Sequence, residues 1–302
     1  MKREEFIKKL STKCKGCKKN TIQVYYRNIL RLYKLNNEDE DIPLKSDWIL
    51  KPALIKKYKN LKLGTRRHLS NSAVKFFQML GKENLIWYKF MMSDSQAYSL
   101  KRSKNEKSET ESSKWLKDGW KGIRKASSEY LRREKVHIFG GEKSMSKLYK
   151  YQIYIVLRLF SEVPFRNGFA DLELKDNKKN YINVPKKGSI KFIMRNFKNS
   201  EQLGEKEITL SRGLTTQVRK FLKYRADVVD NDYFLNTMQK TKMSRSALGK
   251  MVIRSTKKLL NKKIGSRMIR ILAASSNKEE IEKLKQEHKE LMELIASLKE
   301  IL

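Results

Sequence analysis

Apolar residues recur at intervals of three and four in three stretches near the start of the chain. Residues 21–35 carry the clearest stripe, and residues 53–61 and 65–80 repeat the spacing. A period near 3.6 residues places such side chains on one face of a helix. The pattern therefore predicts a small helical domain over residues 1–99. The first stripe consists of Ile22, Tyr25, Ile29, Leu32 and Leu35.

The polar character of the chain changes after this helical region. Residues 100–114 consist largely of Lys, Ser, Glu and Asn and contain almost nothing apolar. A segment of this composition cannot bury enough surface to fold by itself. We expect a linker there, followed by a second domain over residues 115–276.

The second domain starts with helical spacing and then changes to a period near two. Residues 149–160 are too apolar for a surface helix and predict one that crosses the core. Residues 181–184, 190–197 and 207–210 are short, favour strands and are separated by turn residues. Helical spacing returns after residue 214. The predicted fold class is mainly α with a small three-stranded antiparallel sheet, an α+β fold.

The last segment, residues 277–302, has the most regular spacing. About three heptads of coiled-coil pattern are expected from a stripe with alternating intervals of three and four. The net acidic composition of this segment makes it unsuitable for DNA, so we expect a homo-oligomer formed through residues 278–302. A terminal helix that packs on its own second domain is the alternative. The stripe consists of Ile281, Leu284, His288, Leu291, Ile295, Leu298 and Leu302.

The net charge points to the kind of partner. The chain has 69 Lys and Arg residues against 33 acidic ones, a formal net charge of +36, which exceeds what solubility requires. No apolar run approaches the roughly 20 residues that span a bilayer, so we expect a nucleic acid and no membrane. The charged start of the chain has no apolar stretch behind it, so no secretory signal is expected.

The two cysteines, Cys14 and Cys17, have the spacing of half a zinc knuckle. A closed structural zinc site needs about four ligands, and the sequence has no second pair of cysteines. We therefore expect exposed free thiols, with no metal and no cofactor.

Basic residues on the polar faces of the predicted N-terminal helices could contact phosphates without reading base sequence. These candidate DNA-binding residues are Arg27, Arg31, Lys34, Lys56, Lys57, Arg66 and Arg67.

Three motifs follow one another in the second domain: residues 163–167, the turn at residues 196–200, and residues 267–270. In this order, behind a helical domain, they resemble the tyrosine recombinase/integrase family. The nearest similarity is to the integrase-like proteins of large DNA viruses, and it spans roughly residues 20–275. It implies a core-binding-like N-terminal domain and a recombinase catalytic-like second domain.

The resemblance also implies roles for four residues. Arg166 and Arg270 match the two arginines that clamp the scissile phosphate through charge-assisted bidentate hydrogen bonds. Lys198 matches the hairpin lysine that protonates the leaving 5′ hydroxyl. Arg267 stands where the family usually has a histidine.

The nucleophilic tyrosine of the family has no counterpart, because the last tyrosine in the sequence is Tyr233. The favoured function is therefore the clamping of duplex DNA without strand cleavage. One alternative is an active recombinase whose tyrosine is supplied beyond Leu302, upstream or in trans. Another is a basic RNA-associated protein. We expect the protein inside a cell with DNA, in a prokaryotic cytoplasm or in the nucleus or viral factory of a eukaryotic host.

Overall fold

The computed structural model describes most of the chain and divides it into two compact units. The first unit is Met1–Lys107 and the second is Ser108–Leu302. The described residues are 3–14, 16–38, 41–104, 106–197, 200–277, 280, 281, 284, 286 and 288.

The first unit is helical in its described part. The predicted helices at residues 21–35, 53–61 and 65–80 are confirmed, each shifted by one or two residues. Two further helices pack with them, and the shared core contains Phe6, Phe76 and Trp87. The helices are α1 (Arg3–Lys13), α2 (Lys19–Tyr33), α3 (Pro52–Lys59), α4 (Leu63–Met79) and α5 (Leu85–Ser103), with a 3-10 turn at Asp47–Leu50.

The cysteines close the turn after α1. Cys14 and Cys17 form a disulfide, with their Cα atoms 5.5 Å apart. The Cys17 amide also donates to the Cys14 carbonyl at 3.0 Å, and Gly16 between them has φ of +83°. The expectation of free thiols is therefore wrong, because this tight turn brings the two sulfur atoms together.

The segment predicted as a linker is largely helical. Residues 100–103 complete α5, and residues 109–113 form the short helix α6 (Glu109–Ser113). A capping box starts α6, in which Ser108 accepts from the Glu111 amide and Glu111 accepts from the Ser108 amide. The start of α6 depends on a Ser and a Glu three residues apart. The overall composition of the segment does not reveal such a pair.

The second unit has helices around one small sheet, as the sequence predicts. The sheet order is β1-β2-β3 and both pairs are antiparallel. The helices are α7 (Lys121–Phe139), α8 (Met145–Glu162), α9 (Ser200–Leu203), α10 (Arg212–Ala226), α11 (Arg245–Leu260) and α12 (residues 266–277), and the strands are β1 (Tyr181–Asn183), β2 (Lys191–Met194) and β3 (Lys206–Thr209).

The core of the second unit forms on α8 and β2. Ten residues of α8 are buried, which confirms the predicted core helix. On β2, Phe192 is fully buried and faces Ile182 of β1 and Ile208 of β3. Ile193 and Met194 are buried as well, so both faces of this central strand are covered.

The predicted coiled-coil segment 277–302 is only partly described. Its described residues are helical, and Ile281 and Leu284 are exposed. Most of the heptad pattern lies outside the described residues, and self-association stays a prediction. No helix in the described part is long and apolar enough to cross a membrane.

Candidate phosphate-binding site

A pocket of about 220 Å³ in the second unit brings Arg166 and Arg270 together. A third arginine, Arg245, reaches the same pocket. The full lining is Pro164, Phe165, Arg166, Asn167, Gly168, Phe197, Arg245 and Arg270. The arginines predicted from separate motifs therefore share one site.

The turn after α8 presents Arg166. The Phe165 amide donates to the Val163 carbonyl at 2.7 Å, and the Gly168 amide donates to the Arg166 carbonyl at 2.5 Å. A Cβ atom at Gly168 would lie 2.9 Å from the Phe165 ring and 3.2 Å from Met194. The missing side chain lets this turn pack on β2, while Arg166 stays exposed at the rim of the pocket.

Arg270 reaches the pocket from α12, which is held by its buried side chains and by a contact just before its first residue. Met268, Ile269 and Leu272 are buried. The Thr256 hydroxyl bonds both the amide and the carbonyl of Ile264, just before α12 begins. These contacts fix the direction from which Arg270 enters the pocket.

The Arg270 guanidinium is half-buried and short of partners. Its Nε atom is buried and has no hydrogen-bond partner among the described residues. Burial lowers the pKa of Arg270 below its ordinary value, and the positive charges of Arg166 and Arg267 lower the pKa further. Arginine remains protonated in proteins, so the pocket holds like charges that repel each other.

The sequence reasoning missed Arg245. Ser244 caps the start of α11 by accepting from the Ala247 amide at 3.1 Å, which makes Arg245 the first residue of the helix. A cation is unfavourable at this positive end of the helix dipole. Asp171 compensates by pairing with Arg245 Nε, and Arg245 Nη2 donates to the Asn196 carbonyl at 3.4 Å. The sequence shows only a basic residue directly after a candidate helix cap, which does not by itself place Arg245 at the pocket.

Asn167 was also missed, and it holds the two sides of the pocket together. Its Nδ2 atom donates to the Arg245 carbonyl at 3.0 Å. Its Oδ1 atom is buried without a hydrogen-bond partner among the described residues. Because a carboxamide oxygen only accepts hydrogen bonds, it offers nothing to a phosphate oxygen, and the role of Asn167 is to hold the pocket wall in place.

Of the other two predicted catalytic residues, only Arg267 can be placed. Lys198 lies outside the described residues, although Phe197 beside it lines the pocket. Arg267 lines a different pocket of about 230 Å³ and pairs with Glu111 at 3.5 Å. Residues three apart are neighbours on the surface of a helix, but Arg267 pairs with Glu111 while Arg270 lines the first pocket.

Most of the candidate DNA-binding residues in the first unit are exposed. Lys57 also donates to the Leu35 carbonyl at 2.6 Å, and Arg67 stacks over the Tyr98 ring at 4.3 Å. The exposed group consists of Arg27, Arg31, Lys34, Lys56 and Lys57.

Arg66 differs from that group because it pairs inward. Its Nη2 atom lies 2.9 Å from a carboxylate oxygen of Asp94, whose side chain is only 7% exposed. The Tyr58 hydroxyl donates to the other oxygen of Asp94, and burial together with this bond raises the pKa of Tyr58. The pair with Asp94 therefore gives Arg66 a structural role, and a phosphate contact by Arg66 stays a prediction.

The pocket lining in the described part contains no tyrosine. Tyr130, Tyr151, Tyr154 and Tyr224 are buried in the core of the second unit. Burial raises the pKa of Tyr151 to about 12. Tyr233 pairs with Glu173 through an isolated bridge, and the Lys242 ammonium lies 5.6 Å from its ring centre.

The described residues contain no group of three or more His, Cys, Asp or Glu side chains that could hold a metal ion.

No family model matches the sequence, and no curated protein matches it. Among solved structures, that of XerA recombinase is similar, with a TM-score of 0.37 and 14% sequence identity. The similarity covers 91% of this chain and 84% of that chain. At this level it establishes neither a family nor a function.

Proposed function

We propose that the protein binds duplex DNA and holds a phosphate of the DNA backbone between Arg166 and Arg270. The observation that carries the proposal is the pair of guanidinium groups in one pocket. Neither side chain has an ion-pair or hydrogen-bond partner in the described part of the chain, and Arg270 Nε is buried. A bound anion would accept hydrogen bonds from the guanidinium nitrogens that face the pocket and would offset the repulsion between the two charges.

A phosphodiester suits this arrangement in shape. It presents two nonbridging oxygens, and the planar fork of a guanidinium donates two parallel hydrogen bonds to such an oxygen pair. The exposed basic residues of the first unit would contact other phosphates without reading sequence. The formal net charge of +36 supports a long polyanion over a small ligand.

We place strand cleavage outside the proposed function. Attack on the phosphate needs a nucleophile, and no tyrosine lines the pocket in the described part. An active recombinase that receives its tyrosine from elsewhere is the competing function. The proposed place of action is inside the cell, where the DNA of the host or of a virus lies. Assembly through residues 278–302 would bring several copies of the protein onto one DNA.

The test measures DNA affinity and covalent capture together. Arg166→Ala and Arg270→Ala should each weaken binding to a duplex by about tenfold to a hundredfold, because a charge-assisted hydrogen bond contributes about 1.5–3 kcal/mol. Arg254→Ala is the matched control, since Arg254 is exposed on α11 and does not line the pocket.

Binding should weaken steeply with salt in the wild type. A denaturing gel with nicked suicide duplexes should show no covalent protein–DNA adduct. An adduct that is lost in Arg166→Ala would establish the active recombinase instead. Arginine variants that bind duplex DNA as well as Arg254→Ala would remove the pocket from the function.

A further inference from the structure

We propose that the pocket prefers the phosphate group at the end of a DNA strand, a phosphomonoester, to a phosphodiester within a strand. The inference rests on the proposed function, because both place a DNA phosphate between Arg166 and Arg270. Its new element is Arg245, the third guanidinium that lines the pocket.

The two kinds of phosphate differ in oxygens and in charge. A phosphodiester has two nonbridging oxygens and a single negative charge. A phosphomonoester has three terminal oxygens and, like a phosphorylated side chain, a charge of about −1.5 to −2 at pH 7. Two guanidinium groups suffice for the oxygens of a diester, so a third one is useful mainly to the third oxygen.

Arg245 retains donors for such an oxygen. Its Nε atom pairs with Asp171, and its Nη2 atom donates to the Asn196 carbonyl. Its Nη1 atom has no hydrogen bond within the described residues, and its side chain is 51% exposed. Asp171 is therefore a positioning residue that orients Arg245 and leaves one edge of the guanidinium facing outward.

The charges of the pocket match a dianion. Three arginines line it, and Asp171 neutralises one of them through Arg245. The remaining formal charge of +2 equals the charge that a fully ionised phosphomonoester carries with opposite sign. A phosphodiester would leave one of these positive charges uncompensated beside the half-buried Arg270.

The apolar wall of the pocket also suits a strand end. Phe165 and Phe197 line it, with ring centres 6.4 Å apart. A base inside a duplex is stacked on both faces, whereas a base at a strand end can expose one face to an aromatic ring. A strand end thus offers both the extra charge and a free base face.

The experiment compares four duplexes of one sequence by fluorescence anisotropy. One is intact, and three carry a nick with hydroxyl groups only, with a 5′-phosphate, or with a 3′-phosphate. We expect the wild type to bind one of the phosphorylated nicks about tenfold more tightly than the hydroxyl nick. The two phosphorylated arms identify which strand end is recognised.

Variants assign the preference to Arg245. Arg245→Gln should reduce the tenfold ratio to about one, while Arg254→Ala, on the same helix but outside the pocket, should keep it. Arg245→Lys preserves the ion pair with Asp171 but lacks the planar fork. If Arg245→Gln fails to fold, Arg245→Lys should still reduce the ratio.

Equal binding of the three nicked duplexes by the wild type would overturn this inference. The proposed function would survive that result, provided that binding of the intact duplex still depends on Arg166 and Arg270. A tenfold preference that persists in folded Arg245→Gln would likewise overturn the role of Arg245.

Discussion

The carboxamide of Asn167 lies directly against Gly249, so that a Cβ atom at residue 249 would approach Asn167 Nδ2 to 2.8 Å. The same Nδ2 atom donates to the Arg245 carbonyl one turn earlier on α11. The absence of a side chain at Gly249 therefore lets the turn that carries Arg166 dock on the helix that carries Arg245.

Gly249→Ala should disturb this docking while the unit stays folded. The added methyl must displace Asn167, and the loss of one hydrogen bond, about 0.5–1.5 kcal/mol, should weaken DNA binding about two- to tenfold. The gain in helix propensity, up to about 1 kcal/mol, should offset part of any loss in stability. Duplex affinity and thermal unfolding measure the two effects.

Gly213→Ala is the matched control, because no atom lies within 4 Å of the Cβ position there. It should leave DNA affinity nearly unchanged and, because Gly213 also lies in a helix, should not lower stability. A Gly249→Ala variant that binds DNA like Gly213→Ala would show that the position of Asn167 does not matter to the pocket.

Asp94→Asn should destabilise the first unit. It removes the charge that balances Arg66 and weakens the bond from Tyr58. Breaking a fully buried pair costs about 3–5 kcal/mol, and Arg66 is 28% exposed, so we expect about 2–3 kcal/mol. Urea unfolding measures the loss in unfolding free energy. The control is Asp47→Asn, which alters an exposed aspartate and should stay within about 0.5 kcal/mol of wild type. Equal stability of the two variants would contradict the structural role of Arg66.

Gln152→Leu should be among the costlier changes in the second unit. Gln152 and Asn236 are both fully buried, and the Gln152 side chain bonds the carbonyl and the amide of Asn236 at 2.9 and 2.7 Å. Leucine would leave both backbone groups unpaired, at about 1–3 kcal/mol for each. Chemical unfolding should show a loss of at least about 2 kcal/mol. Gln202→Leu, at an exposed position, should change stability by less than about 0.5 kcal/mol.

Glu134 should make the second unit sensitive to acid. The ion pair with Lys150 at 2.8 Å, joined by Lys258 at 3.3 Å, holds the pKa of Glu134 below its ordinary value. A lowered pKa gives stability that is complete above the unfolded pKa, near 4.5, and is lost as pH falls through the folded pKa.

Glu134→Gln should therefore lower the unfolding free energy by about 1 kcal/mol at pH 7 and by less at pH 3. Urea unfolding at both pH values measures the change. Glu142→Gln, which alters an exposed glutamate, should keep the acid sensitivity of the wild type. A constant difference between Glu134→Gln and wild type at both pH values would exclude this ion-pair contribution.

The sequence could predict the elements whose periodicity is strong. Helices α2 and α4 follow from spacing alone, because burial on one face fixes the period. Helix α8 follows from its nearly continuous apolar run, and the three strands follow from short β-favouring segments between turn residues. Helix α6 is short and polar, and local capping rather than burial defines it, so a reading of composition assigns it to a linker.

The candidate site was predictable only in part. Arg166 and Arg270 came from the order of motifs, whereas no local pattern places Arg245 beside them. Its position depends on Asp171 and Asn167, which lie far from it in sequence and near it only after folding. The disulfide between Cys14 and Cys17 likewise depends on the geometry of a turn that spacing does not specify.

The bond between Glu111 and Arg267 determines where the chain can be shortened. A fragment that starts at residue 115, the predicted start of the second domain, would lose Glu111. It would thereby lose the carboxylate that pairs with Arg267 of α12. It would also remove one wall of the pocket that Ser108 and Thr110 line beside Arg267. A fragment of the second unit that keeps these contacts therefore begins at or before Ser108, so that residues drawn from the apparent linker remain attached to the helix that carries Arg270.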